Sequence, residues 1–372
     1  MTTAAGASPR RVLHVFATFG IGGPQMRQQE LIARMGDGFV HDIVAMDGNF
    51  AAAQRIDPKR LGDLMGPPGG RSFFGSVRAF VRLLRERKPD LLLTYNWGSI
   101  EACMAARVLA FRNHVHHEEG FGPLEQDRRL RRRNWIRRVA LERAHAVLVV
   151  STGLLSIARR EWRVPTSQLV YLPNGVDLAR FAPASPAGSS ATGSVCTIGA
   201  VGGLRAEKDH ATLLRAFAQM RDPARLELTG DGPERSSLEK LSVALGVEGR
   251  VQFLGNASDT APCYRRMDVF ALSSRTEQMP ISLLEAMASG LPVASTDVGD
   301  VRAMLPEGSR GALAPAGDVP GLARALDALC ANPARRMQEG RRNRVQAEQH
   351  FEAGECLQRY LDLYMRAARP QR

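Results

Sequence analysis

The sequence predicts an α/β protein made of two doubly wound, Rossmann-like parallel-sheet domains. Its 372 residues exceed what one hydrophobic core usually organises. Short apolar runs of strand type alternate with helical periodicity along most of the chain, as expected of parallel strands buried on both faces. A strand, a glycine-rich loop and a helix follow one another twice, once in each half. Glycine lets the backbone come close to a ligand, and the helix start behind it favours phosphate.

In the first half, Val12–Ala17 is the opening strand, Phe19-Gly20-Ile21-Gly22-Gly23-Pro24 the loop and Gln25–Met35 the helix. The spacing is not G-x-G-x-x-G, so a dinucleotide fingerprint fits poorly. Strand Asp42–Met46, helix Ser76–Arg87, strand Asp90–Tyr95, helix Ile100–Leu109 and a strand at Val115-His116 continue the rhythm, and Ala146–Ser151 is another buried strand. Ligands of such sheets bind beyond the carboxyl ends of the strands. That singles out Asn113–Gly122, with its His116-His117-Glu118-Glu119 cluster. Metal binding there is disfavoured, because the spacing lacks H-x-x-x-H and offers no third ligand group.

Pro173-Asn174-Gly175 is a turn of structural type, and Ala182–Ser194, rich in Ala, Pro, Ser and Gly, is the expected interdomain linker. The domains are therefore placed at 1–185 and 186–350. In the second, a strand from Val195 runs into Gly202-Gly203 with Lys208 at the turn. Further strands lie at Leu226–Thr229, Val251–Gly255 and Asp268–Ser274, with Val293–Thr296 closing the sheet and a helix at Glu234–Leu245. Beyond Asp318 the chain is helical, and Phe351, Leu357, Leu361 and Met365 keep helical spacing through a last segment, 351–372.

Hydrophobic content of 44% with 24% charged residues argues for a soluble globular protein over a disordered chain. Five scattered cysteines without C-x-x-C point to a reducing compartment and away from a disulfide framework. Neither an apolar signal core in Met1–Arg11 nor a run of eighteen apolar residues is present. The expected location is cytoplasmic, with peripheral contact on the inner membrane face as a further expectation. A net charge of +12 asks for a polyanionic neighbour. The most basic stretch, Arg128–Arg138, holds seven arginines spread around the helix circumference. Half of them facing anionic lipid would supply roughly 3–4 kcal/mol, enough for reversible adsorption, and Trp135 and Ile136 could insert. Nucleic acid is not expected, since no aromatic platform accompanies the arginines.

The chain is organised around Thr276–Gly290. Pro280 suits a helix first turn and Gly290-Leu291-Pro292 a left-handed stop, so a helix is expected from about Met279 to Ser289. The amides of Ile281, Ser282 and Leu283 would then be open to an anion. Glu277 before this helix start and Glu285 inside it would repel phosphate but accept hydrogen bonds from sugar hydroxyls. The combination suits a sugar joined to a phosphate.

Glu277 and Glu285 match the E-x7-E motif of the retaining nucleotide-sugar glycosyltransferases of family 4, and Pro280–Val293 resembles that family's longest signature. The resemblance spans essentially the whole chain. It implies the GT-B fold, in which two such domains face a central cleft and the C-terminal helix crosses back to the first domain. It implies a nucleotide-sugar donor held mainly by the second domain and an acceptor, open to being lipid-linked, entering from the first. Lys208 matches the lysine on the donor diphosphate. The family's arginine before the leucine of that motif is Gly203 here, and Arg205 is the candidate substitute. Gly22 and Gly23 would border donor phosphate and acceptor. His116, with His117 as the register alternative, would approach the transferred sugar. Phe253 and Leu254 would offer backbone to the nucleobase, Glu285 would hold the ribose, Glu277 the sugar, and Met279–Leu283 the phosphate. Retention by same-face attack needs no carboxylate nucleophile, and no cofactor or metal is implied. A nucleotide-sugar 2-epimerase of related fold and a non-catalytic nucleotide-sugar-binding scaffold are the alternative readings.

Overall fold

The computed structural model describes residues 9–70, 72–121, 125, 129–184 and 195–369. The chain forms two compact units, Met1–Pro173 with Leu357–Arg372, and Asn174–Cys356. The boundary placed at 185/186 lies outside the described residues, as do Arg128, Gly122 and most of the proposed linker.

The first unit holds strands β1 (Arg10–Phe16), β2 (Phe39–Ala45), β3 (Leu61–Met65), β4 (Leu91–Tyr95), β5 (His114–Glu118), β6 (Ala146–Val149) and β7 (Leu169–Tyr171) in the order β3-β2-β1-β4-β5-β6-β7. Every pairing is parallel. Helices α1 (Gly23–Met35), α2 (Phe73–Arg87), α3 (Ile100–Val108), α4 (Arg131–Leu141) and α5 (Thr152–Arg160) supply the crossovers. Alternate residues of a strand point to opposite faces. On one face Val15, Val44 and Leu92 meet Phe80, Leu84 and Ala105 of α2 and α3. The other receives Gln28 of α1 and Tyr364 of the C-terminal helix, whose hydroxyl lies 3.0 Å from His117 Nε2.

The second unit repeats the plan with β8 (Cys196–Val201), β9 (Ala224–Thr229), β10 (Val251–Gly255), β11 (Val269–Leu272), β12 (Val293–Thr296) and β13 (Leu313–Ala314) in the order β10-β9-β8-β11-β12-β13. Helices α6 (His210–Ala218), α7 (Arg235–Ala244) and α11 (Val319–Cys330) cover one face, packing Leu213, Phe217, Leu238 and Leu326 on Ile198, Leu226 and Val269. The unit also contains α8 (Ala261–Arg266), α9 (Ile281–Ala288), α10 (Val301–Met304) and α12 (Pro333–His350). The sequence placed the end of the sheet at Val293–Thr296, but β13 pairs beyond β12 through Ser295 and Leu313. Two residues are too short for a periodic signal. The last helix, α13 (Ala353–Ala367), enters the first unit from Leu357, and its Tyr360 hydroxyl donates to Leu172 O at 3.3 Å.

Candidate active site

In the second unit, loops leaving the carboxyl ends of β8 and β9 are laced together. Gly202 N–H donates to Thr229 O at 2.9 Å and Leu204 N–H to Asp231 O at 3.0 Å. Gly230, at φ +137°, must be glycine, because a Cβ would overlap the Gly202 carbonyl. The β8 loop then makes one 3-10 turn, Ala206–Lys208, and Asp209, at φ +46°, caps α6 by accepting from Thr212 N–H. This turn aims Lys208 at the loop ahead of α9. Its Nζ donates to Glu277 Oε1 at 2.6 Å, and Ser274 Oγ donates to the same oxygen at 2.7 Å. From behind, Gly299, at φ +55°, leaves room for the Glu277 carbonyl where a Cβ would not. Lys208 and Glu277, assigned from sequence to different parts of a ligand, are here each other's partner.

Helix α9 begins at Ile281 with Pro280 as its cap residue (φ −67°, ψ 120°), and Gly290, at φ +71°, ends it. Among the three amides expected to be open, Leu283 N–H turns back to Pro280 O at 3.2 Å. Ile281 and Ser282 are left without a backbone acceptor among the described residues. Met279 and Pro280 are buried, and Asn174 Nδ2 donates to Met279 O at 3.1 Å, fixing the approach to the helix. One turn in, Glu285 Oε2 accepts from the Tyr264 hydroxyl at 2.7 Å. Burial raises the Glu285 pKa above the carboxylate norm, although Tyr264, Arg180 and Thr260 each pull it down.

The remaining donor-side candidates are spread around this centre. Phe253 is half-buried on β10 with its carbonyl accepting from Arg235 Nη2 at 3.3 Å, and Leu254 is exposed. Arg205 projects into solvent, and its one ion-pair partner among the described residues is Glu207, at 3.9 Å. A Cβ on Gly203 would press on the Arg205 side chain. The structure therefore brings Lys208 to Glu277, which lies four residues ahead of α9 in the chain, and leaves Arg205 outside.

The first unit differs. Gly22 is the cap residue of α1 and extended (φ −169°), a conformation open to any residue, so the loop does not depend on it for backbone freedom. His116 was expected at a strand end. It lies inside β5 and is fully buried, because the strand runs on to Glu118. Thr94 Oγ1 lies 2.9 Å from His116 Nδ1 and 2.8 Å from His114 Nε2, and Cys103 Sγ is 3.4 Å from His116 Nδ1. Burial alone would lower the His116 pKa, but Cys103 and Glu118 push it up to about 9. Burial would raise the Cys103 thiol, yet His116 and His114 bring it down to about 5. Cys103, His114 and His116 place metal-ligating atoms within 4.8 Å of one another, with the Thr94 hydroxyl bridging them. The alternative, His117, is equally buried, against Tyr364. The group that does stand beyond β5 is Glu119, half-buried, ion-paired with Arg27 of α1 and held by its N–H to Asn96 Oδ1 at 2.7 Å.

The basic stretch is divided. Arg137 is fully buried, bonding Glu118 and Glu125 with its guanidinium over Trp97, Phe121 and Trp162. Arg133 also pairs with Glu125, and Arg129 with Glu161. The expected spread of free charge around the helix is thereby reduced to one exposed stripe. Arg131, Trp135 and Arg138 recur at i, i+4 and i+7, with Arg132 beside them.

Comparison with known proteins agrees with this architecture. A family model described as Glycosyltransferase Family 4 matches residues 22–180, and one described as Glycosyl transferases group 1 matches residues 195–332. The chain is 39% identical over 125 residues to the lipopolysaccharide core biosynthesis glycosyltransferase LpsE of Rhizobium meliloti, covering 34% of this chain and 36% of that protein. It thus matches little more than a third of that relative's length. It is 29% identical over 300 residues to the GDP-mannose-dependent monoacylated alpha-(1-6)-phosphatidylinositol monomannoside mannosyltransferase of Corynebacterium glutamicum, covering 73% and 75%. Among solved structures, Anabaena Alr3699/HepE in complex with UDP superposes with a TM-score of 0.79 at 18% identity, over 96% of this chain and 100% of that one.

Proposed function

We propose, for a chain that belongs to the family 4 glycosyltransferases of GT-B fold, that it moves a sugar from a nucleoside-diphosphate sugar to an acceptor of the cell envelope. Transfer proceeds with retention at the anomeric carbon and without a divalent metal. The observation that carries this reading is the Lys208–Glu277 pair set just ahead of the open amides of Ile281 and Ser282. Departure of the nucleoside diphosphate places negative charge on its β-phosphate. The Lys208 ammonium and the α9 amides offset that charge, which is the ground for metal independence. Receiving the diphosphate takes Lys208 from Glu277 and frees the carboxylate to accept sugar hydroxyls. Glu285 accepts from the ribose. HepE in complex with UDP supports a nucleoside diphosphate as the ligand class. The relatives named for lipopolysaccharide core and phosphatidylinositol mannoside synthesis support a glycolipid or envelope saccharide as acceptor. A panel of nucleotide sugars, scored by thermal shift and by donor hydrolysis with EDTA present, tests this. At least one donor should both stabilise and turn over; stabilisation by none would overturn the reading.

We further propose that the chain works at the cytoplasmic face of a membrane. No helix among the described residues is long and apolar enough to cross one. Arg131, Arg132 and Arg138 carry no ion pair among the described residues and flank Trp135, which is 63% exposed. At about 1 kcal/mol per charge they supply about 3 kcal/mol, which salt would weaken. Co-sedimentation with anionic vesicles but not neutral ones, lost when the three arginines are replaced by alanine, is the expected result. Equal binding to both would remove the membrane role.

A further inference from the structure

The donor reading leaves one feature of the second unit unused: the grip on Glu285. Tyr264 is fully buried on α8, its ring edge-on to Phe181 at 5.7 Å and tilted against Phe270 at 5.8 Å. The hydroxyl is therefore fixed in place. It has a single proton and two acceptors in reach, Glu285 Oε2 at 2.7 Å and Ser282 O at 3.2 Å, so the shorter, charge-assisted bond goes to the carboxylate. The Thr260 side chain, just before α8, also favours the charged form of this carboxylate. A glutamate side chain normally samples many rotamers; this one is held from α8 by the Tyr264 hydroxyl and is half-buried.

We infer that Tyr264, assisted by Thr260, presets the Glu285 carboxylate so that the donor site demands an intact ribose diol and selects ribonucleosides over deoxyribonucleosides. The inference rests on the proposed placing of ribose at Glu285. An ionised carboxylate accepts about four hydrogen bonds, and the Tyr264 and Thr260 hydroxyls leave capacity for a vicinal diol. A rigid acceptor left facing a missing hydroxyl is penalised, whereas a mobile one swings out to water and is not. Tyr264 thus acts as a positioning residue: it does not touch the donor, and its effect is on discrimination.

The test is calorimetry on the full chain with UDP, GDP and their 2′,3′-dideoxy forms. For whichever base binds, the wild type should favour the ribo form by about 100-fold, and Tyr264→Phe should narrow that ratio about tenfold. Phenylalanine keeps the ring packing. Should its melting curve show a misfolded protein, Thr260→Val carries the same reading, with a narrowing of about threefold. A variant that weakens ribo and dideoxy forms equally, leaving the ratio unchanged, overturns the inference while the donor reading stands. A wild type that binds neither nucleotide overturns the donor reading and the inference with it.

Discussion

The two units share one topology but treat polar residues in opposite ways. In the second, Ile198, Leu226, Leu228 and Val269 are wholly buried, the polar residues buried in its strands are the hydroxyl residues Thr229, Ser295 and Thr296, and Arg225 and Glu227 of β9 are not buried. In the first, polar groups are built into the strands themselves: His14, His41, Thr94, His114, His116, His117 and Glu118 are all buried. His14 Nε2 meets His41 Nδ1 at 2.9 Å, and Thr94 ties His114 to His116. A polar residue on a loop past a strand stands clear of the core, whereas one within the strand belongs to a buried network. Lys208 stands seven residues past the end of β8 and His116 inside β5, and that placing separates their fates.

If chemistry belongs to the second unit, the largest effect comes from its one central cation. Lys208→Ala should lower turnover by about 10²–10³, read as kcat with saturating donor; near-normal turnover would remove Lys208 from the mechanism.

Acid should separate the units next. Burial holds His14 and His117 well below the usual imidazole range and brings His41 down to about 4. The unfolded chain then binds more protons than the folded one between about pH 4 and 6.5. Stability is full above 6.5 and falls as pH drops through that window, by up to about 3 kcal/mol from His41 alone. Above pH 6.5 the His116–Cys103 pair exchanges a proton internally, and below it protonation of the Cys103 thiolate destabilises in the same direction as the buried histidines. The second unit has one comparable group, His210, which burial and Lys208 bring to about 4. All three tryptophans, Trp97, Trp135 and Trp162, lie in the first unit. Their emission should therefore report a melting temperature that falls steadily from pH 6.5 to 4, and a flat profile would count against the buried-histidine network.

A smaller effect probes the backing of Glu277. Gly299→Ala must place a Cβ against the Glu277 carbonyl at a positive φ, costing roughly 1–3 kcal/mol. It should lower the melting temperature and reduce the thermal shift given by nucleotide. The smallest effect is expected at the histidine that the family resemblance favours. His116→Asn should lower stability yet change donor hydrolysis less than about threefold in the folded protein. A loss of a decade or more would return His116 to the active site and erase the contrast between the units.

Much of this was legible in sequence where a local signal existed. The apolar runs at Val12, Val251 and Val293 became β1, β10 and β12, and Pro280 and Gly290 bracket α9. The edge strands β3, β7 and β13 were not legible: β3 carries Gly62 and Asp63 and exposes two of its five residues, so it lacks the apolar pattern of a buried strand. The placing of His116 failed because Val115-His116 looked like a strand's end, while pairing with β6 carries β5 to Glu118. Tyr264 and Thr260 carry no motif, and their meaning comes only from α8 lying beside α9. Gly299, just past β12, carried no sequence signal that marked it as the floor under Glu277.

The most direct test is a crystal structure of the full chain with UDP or GDP bound. The account predicts the diphosphate within hydrogen-bond reach of Lys208 Nζ and the amides of Ile281 and Ser282, the ribose on Glu285, and the Lys208–Glu277 contact opened. A nucleotide seated elsewhere, with that contact intact, would contradict it.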